Sequence, residues 1–255
     1  MGSNVRILFL GNNWVAWQTI QWLKSQGEDI VGLVIHPPGT RKYGKEILKS
    51  SKVDSARVFD GSQLRKLETL QAIKALCPDM GISAFFGYIL TPEFLDMLSA
   101  GCVNIHPALL PYNRGAYPNV WSIVEGTPAG VTLHYIDEGI DTGDIIAQHE
   151  VPVEPIDTGE SLYRKLEEAC IDLFRNTWPL LRAGQAPRQP QLLQAGTYHR
   201  TNDVIQIDEI ELDRRYTARE LIDVLRARTF PPHSGAFFRH QGRRVCMRLH
   251  LEYGD

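Results

Sequence analysis

The sequence is poor in cysteine, has no surplus of positive charge, and contains no long apolar run. Its four cysteines, Cys77, Cys102, Cys170 and Cys246, lie far apart and lack the paired spacing of a zinc site, so no metal is expected. They read as reduced, mostly buried thiols of a cytoplasmic protein, because no leader-like segment opens the chain. A spanning helix needs about 18 consecutive apolar residues, and none of the runs reaches that, so no membrane partner is expected. Lys and Arg number 27 against 30 Asp and Glu, for a net charge of -3. Proteins that live on phosphate backbones usually carry a basic domain or stripe, so nucleic-acid binding is disfavoured. The opening turn Gly11-Asn12-Asn13-Trp14 also lacks the G-x-G-x-x-G pattern that clasps a dinucleotide, which argues against NAD.

What is present is an ordinary globular composition, 43% hydrophobic and 22% charged over 255 residues, enough for one main α/β core with a modest addition. Val5 to Leu10 is apolar throughout, as a strand covered on both faces would be, and Trp14 to Lys24 reads as the helix that follows. Further apolar runs at Ile30–Ile35, Met80–Phe86, Val103–His106 and Val131–Ile136 alternate with helical or polar stretches. This predicts a Rossmann-like, doubly wound, mostly parallel sheet. Glu160 to Leu181 reads as a long helix with Thr158 as its N-cap. The Pro-rich stretch Ala186–Pro190 looks like a linker, separating a main domain over 1–185 from a small C-terminal subdomain over 190–255. That subdomain contains a helix over Ala218–Arg226 and an alternating strand over Arg244–Leu251. Trp14, Trp17 and Trp22 suit a dimer seam as well as a core, so pairing of copies is left open.

The chemistry-bearing region is Gly101 to Asp144. On a strand, side chains two apart share a face, so Asn104 and His106 point one way while Val103 and Ile105 point the other. An amide and an imidazole are then paired at the carboxyl end of a strand, where doubly wound sheets place ligands. Pro107 and Pro111 forbid a helix and hold Ala108 to Tyr117 extended. The glycine-spaced loop Gly139-Ile140-Asp141-Thr142-Gly143-Asp144 follows the next apolar run. If the two strands are near neighbours, Asp141 reaches His106 and stabilises its protonated ring. By spacing alone, the histidine serves equally well as a structural hydrogen bonder, and the glycines as a tight turn.

The run from Asn104 to Ile146, NIHPALLPYNRGAYPNVWSIVEGTPAGVTLHYIDEGIDTGDII, resembles the signature of folate-dependent formyltransferases. The similarity covers residues 5 to about 182 well and the tail loosely. The resemblance implies transfer of a formyl group from 10-formyltetrahydrofolate to an amine, with Asn104, His106 and Asp141 as the catalytic set. It implies folate contacts at Phe86, Gly87, Tyr88, Ile89, Leu90, Asp137 and Ile140. One departure is Ala108, where most relatives carry serine; it puts a loop hydrogen bond in doubt rather than the reaction. The wording Tyr112-Asn113-Arg114-Gly115 and Ser122–Pro128, with Gly196–Arg200 and Leu225–Arg228 in the tail, is most similar to the sugar N-formyltransferases. That subgroup implies a small amine acceptor, an amino sugar linked to a nucleotide, contacted by Asn113, Arg114, Tyr117 and Trp121. Other acceptors stay open: a non-sugar amine, methionyl-tRNA, or water in a formyl hydrolase; so does a module that binds without catalysing.

Overall fold

In the computed structural model, which describes residues 5–254, the apolar opening run becomes strand β1 (Arg6–Gly11), with Ile7, Leu8, Phe9 and Leu10 fully buried. The strands β2 (Asp29–Ile35), β3 (Val58–Asp60), β4 (Met80–Ala84), β5 (Cys102–His106), β6 (Arg114–Gly115), β7 (Gly130–Tyr135), β8 (Ile145–Glu150), β9 (Tyr198–His199), β10 (Phe237–His240) and β11 (Arg243–Cys246) follow. The helices are α1 (Asn13–Ser25), α2 (Gly44–Ser51), α3 (Leu67–Ala75), α4 (Pro92–Leu95), α5 (Pro118–Val124), α6 (Gly159–Arg182), α7 (Ile205–Asp208) and α8 (Ala218–Ala227).

Seven strands form one sheet in the order β3-β2-β1-β4-β5-β7-β8. β1 pairs parallel with β2 and β4, β2 with β3, and β4 with β5, whereas β5 and β7 run antiparallel. The expected Rossmann-like, mostly parallel sheet is therefore present. After β3 the chain crosses back to the other side of β1, and a reversal of that kind opens a crevice outside the carboxyl ends of the flanking strands. Gly11, which ends β1, permits the close approach of α1: a Cβ there would lie 2.7 Å from the Ala16 side chain. α1 buries Val15, Ala16, Ile20 and Leu23. Its tryptophans pack locally, Trp22 edge-on to Phe174 and Trp17 stacked on Tyr43.

The chain divides into two compact units that interleave in sequence. The first takes in residues up to His106 with Thr132–Gln148 and Cys170–Gln191; the second takes in Pro107–Val131, His149–Ala169 and the chain from Leu192 onward. In the second unit α5 packs against α8, whose N-terminus is closed by a capping box between Thr217 and Glu220. Thr158 caps α6 as expected, its hydroxyl accepting from Ser161 N at 3.2 Å.

Several expectations need correction. The alternating tail strand stops at Cys246 instead of Leu251, because its partner β10 begins at Phe237, which pairs with Cys246. Gln241 and Gly242, both at positive φ, make the two-residue turn of this hairpin. The Pro-rich stretch is no free linker, since Gln189 exchanges backbone hydrogen bonds of 3.0 and 2.8 Å with Ile145 at the edge of β8. The loop after β5 is not extended: it turns back at Leu109–Tyr112, with a cis Leu110–Pro111 peptide. Of the cysteines, Cys102 and Cys170 are buried but Cys77 and Cys246 are exposed. Burial pushes the Cys102 thiol up, so it behaves as a small apolar side chain.

Candidate active site

Strand pairing builds a polar band on one face of an otherwise apolar sheet. Directly opposed residues of neighbouring strands share a face, and Asn104 of β5 stands opposite Ser83 of β4 on one side and His134 of β7 on the other. His106 stands opposite Thr132. The Ser83 hydroxyl donates to Asn104 Oδ1 at 2.9 Å, and the Asn104 amide nitrogen lies 3.2 Å from His134 Nε2. Gln148 donates to Thr132 Oγ1 at 2.9 Å.

Asp141 completes the cluster from the loop after β7. Its Oδ2 lies 3.6 Å from His106 Nε2, its Oδ1 lies 3.6 Å from His134 Nε2, and the Asn104 amide donates to Oδ1 at 3.5 Å. The two imidazoles are perpendicular, with centroids 6.2 Å apart, and both residues are buried, so the carboxylate acts in a setting of weak solvent screening. The loop backbone holds Asp141 there. Gly143 passes so close beneath the strand that a Cβ would lie 1.9 Å from the Tyr135 carbonyl oxygen, which admits glycine alone. Gln191 donates to the carbonyls of Asp141 and Gly143 at 3.0 and 2.7 Å. Asp137 closes the turn from within, accepting from Gly139 N at 3.0 Å and Thr142 Oγ1 at 2.6 Å.

Hydrogen bonds hold the His134 ring in place. Its Nδ1 is 2.8 Å from the Tyr135 carbonyl, which can only accept, so Nδ1 carries hydrogen. Nε2 then faces the Asn104 amide nitrogen at 3.2 Å, so that amide is contacted from the β7 side by His134 and from the β4 side by Ser83.

The structure thus brings Asn104, His106 and Asp141 together and adds His134 and Ser83, which the sequence reading missed. Thr132 and His134 alternate with Val131 and Leu133, a two-residue period that marks them as face-sharing, but nothing local says that they oppose Asn104 and His106.

The Phe86–Leu90 segment leaves β4 beside the reversal of strand order. Phe86 and Tyr88 enclose the His36 ring, at centroid distances of 5.4 and 4.9 Å, and Gly87 N donates to His36 Nε2 at 3.3 Å. Burial lowers the proton affinity of His36, an effect Asp60 opposes and Lys42 and Arg41 reinforce. Ile89 and Ile140 are exposed, whereas the Leu90 side chain belongs to the core with Leu8, Leu10, Val34 and Phe94. Asp137 is turned to its own loop, as described.

In the second unit Asn113 is fully buried, donating to Ser122 and Thr127 at 2.9 and 2.8 Å and accepting from Thr197 at 3.0 Å. It is a fastener between its loop and the tail. Tyr117 is exposed, and Trp121 is buried with its ring stacked on His199. Arg114 lies in the short ladder with Tyr198. Among the described residues, no group of His, Cys, Asp and Glu is placed to hold a metal ion, and no helix is long and apolar enough to cross a membrane.

Residues 5–176 match the family described as Formyl transferase, and residues 203–253 match the N-formyltransferase dimerization C-terminal domain. The chain is 35% identical over 195 residues to the methionyl-tRNA formyltransferase of Syntrophus aciditrophicus (strain SB), a match that covers 74% of this chain and 62% of that protein's length. The crystal structure of a 4-N formyltransferase from Francisella tularensis is similar at a TM-score of 0.83 and 28% identity, over 99% of this chain and 100% of that one. The formyltransferase PseJ from Anoxybacillus kamchatkensis, solved with UDP-4,6-dideoxy-4-formamido-L-AltNAc and tetrahydrofolate, is 31% identical with a TM-score of 0.58, over 79% of this chain and 88% of that one. Sheet order, the polar band at the end of β5 and these matches together place the chain in the formyl transferase family.

Proposed function

We propose that this chain is an N-formyltransferase that takes its formyl group from 10-formyltetrahydrofolate and gives it to the amine of a small acceptor, an amino sugar carried on a nucleotide. The observation that carries this reading is the Asp141 carboxylate set 3.6 Å from both His106 and His134, with the Asn104 amide beside it. The likeness to PseJ, whose structure holds a UDP-sugar and tetrahydrofolate, supports both the donor and the acceptor class.

The residues at the end of β4 suit a folate. Phe86 and Tyr88 are taken up by the His36 ring, whereas Gly87 offers exposed backbone and Ile89 and Ile140 offer exposed apolar surface at which a flat heteroaromatic group can lie. When bound, 10-formyltetrahydrofolate supplies a formyl carbon on a nitrogen that leaves as the amine of the acceptor bonds to that carbon.

The chain's own groups then handle charge and protons. The Asn104 amide gives up its long 3.5 Å contact with Asp141 and donates to the oxyanion, keeping its shorter contact with His134. Both ring nitrogens of His134 are engaged, by the Tyr135 carbonyl and the Asn104 amide, so we assign the proton transfer to His106 beside Asp141. His106 accepts the proton that the attacking amine loses and returns it to the departing nitrogen, while Asp141 stabilises the imidazolium between the two events. We take residues 1–185 as the domain that carries this chemistry and 190–255 as a subdomain whose match to a dimerization domain supports pairing of two copies.

The test is to incubate the purified chain with 10-formyltetrahydrofolate and a panel of amino-sugar nucleotides, following tetrahydrofolate by absorbance and products by mass. Formylated sugar nucleotide is expected. Formate release without any amine, or formylation of methionyl-tRNA alone, refutes the reading.

A further inference from the structure

Three strand ends meet where the sheet order reverses. β2 runs out into His36, β1 into Asn12 and β4 into residues 85–90, and Asn12 N donates to the Ala84 carbonyl at 3.2 Å, tying the ends of β1 and β4 together. His36 reaches across this junction. Its Nε2 accepts from Gly87 N at 3.3 Å, and its Nδ1 lies 3.3 Å from Asn12 Nδ2. The Asn12 amide is oriented by its own oxygen, which accepts from Lys42 N at 2.7 Å, so an N–H group faces each ring nitrogen. The His36 carbonyl in turn accepts from Arg41 Nε at 2.7 Å.

The segment after β4 needs holding. Phe85 has a φ of +54°, a conformation that an aromatic residue adopts only where its surroundings impose it. Phe86 and Tyr88 flank the His36 ring at 5.4 and 4.9 Å between centroids, and they press on Gly61 so closely that a Cβ there would lie 2.7 Å from the Phe86 ring and 2.9 Å from the Tyr88 ring. With both rings engaged, what the segment presents to a ligand is backbone at Gly87 and the exposed Ile89 side chain. The Phe86–Gly87 peptide is trans, so its carbonyl points opposite to its N–H. The bond to His36 therefore turns the Phe86 oxygen away from the imidazole.

We propose that His36 is a positioning residue for the formyl donor: by taking the Gly87 N–H, it holds the Phe86–Gly87 peptide in the orientation that meets the pterin ring of 10-formyltetrahydrofolate. This rests on the donor reading given above. His36 takes no part in the chemistry and acts through the backbone of residues 86 and 87. Only a ring with a free lone pair at Nε2 can do so. Protonation at both nitrogens sets donor against donor at Gly87 and at Asn12; burial opposes it, the Asp60 carboxylate favours it, and the Lys42 and Arg41 cations oppose it. The donor should therefore bind less well as pH falls through a value below histidine's ordinary 6.5.

The intact chain is titrated with tetrahydrofolate by calorimetry as wild type, His36→Phe and His36→Gln, and the Gly87 amide is followed by hydrogen exchange. His36→Phe keeps a ring between Phe86 and Tyr88 but has no acceptor. It should speed exchange at Gly87 and weaken tetrahydrofolate about five- to tenfold, the loss of one hydrogen bond. His36→Gln supplies an acceptor oxygen that does not titrate. It should bind within about threefold of wild type at neutral pH and, unlike wild type, keep its affinity as pH falls below 6.5. In turnover, His36→Phe should raise the folate KM and leave kcat and the acceptor KM near wild type. Equal losses in the phenylalanine and glutamine variants, or a pH dependence that survives in His36→Gln, would overturn the proposal. Should the phenylalanine variant melt well below wild type, the pH profile of the glutamine variant decides alone. Wild type that binds no tetrahydrofolate refutes the donor reading and this inference together; wild type that binds it no better than His36→Phe refutes this inference alone.

Discussion

Replacing Asp141 by asparagine removes one negative charge and leaves the shape of the side chain nearly unchanged. The lost charge lies 3.6 Å from His106 Nε2. Two unit charges at that distance attract by about 4–5 kcal/mol at an effective dielectric of 20. The asparagine dipole restores part of this, so about 3–4 kcal/mol of support for the imidazolium disappears when His106 holds the proton. Turnover should fall by about 10²–10³. The loop itself is held by Asp137, Gln191 and the Gly143 approach instead of by this carboxylate, so its fold should persist and the folate KM should change little. Single-turnover formyl transfer with saturating substrates, together with a thermal melt, separates chemistry from folding. Turnover within about threefold of wild type, with the melt unchanged, would refute the argument that Asp141 charges His106.

Four further outcomes follow from the same geometry. His134→Ala removes the ring that contacts the Asn104 amide and should lower kcat about tenfold with little change in either KM, as steady-state kinetics would read. Gly143→Ala drives a methyl group into the Tyr135 carbonyl; it should cost about 1–3 kcal/mol in chemical denaturation and lower kcat, because the loop carrying Asp141 must shift. Asp157 is 3% exposed and receives Lys165 at 2.7 Å, Ser161 at 2.8 Å and Glu154 N at 2.7 Å, so Asp157→Ala should cost about 2–3 kcal/mol. The figure stays below that of a sealed pair because the Lys165 side chain is 39% exposed. His36 binds a proton less readily when folded than its ordinary value of 6.5, mainly through burial, so its unfolded form takes up protons first. Its contribution to stability should be fully present above pH 6.5 and shrink as pH falls through the lowered folded value; comparing denaturation of wild type and His36→Gln across this range would show the difference vanish at low pH.

Local sequence was enough to determine the elements and their polarity. β1 and α1 could be read from an unbroken apolar run followed by a helix-compatible stretch, and Thr158 marked the start of α6, because these signals depend on neighbours in the chain. Asn104 and His106 were likewise assigned to one face by the two-residue period of a strand. What local sequence could not contain is pairing. His134 and Ser83 entered the site because β7 and β4 flank β5 in a particular register, and a shift of one residue would have turned them to the other face. Nor could local sequence contain the burial of Asn113, which follows from Thr197, far along the chain, closing over it. The reach of Asp141 to two imidazoles depends on a glycine slipping under a carbonyl and on Gln191 bonding the loop from a distant segment. Chain-local sterics and hydrophobic periodicity therefore determined which residues could carry chemistry, and long-range packing alone decided which of them meet.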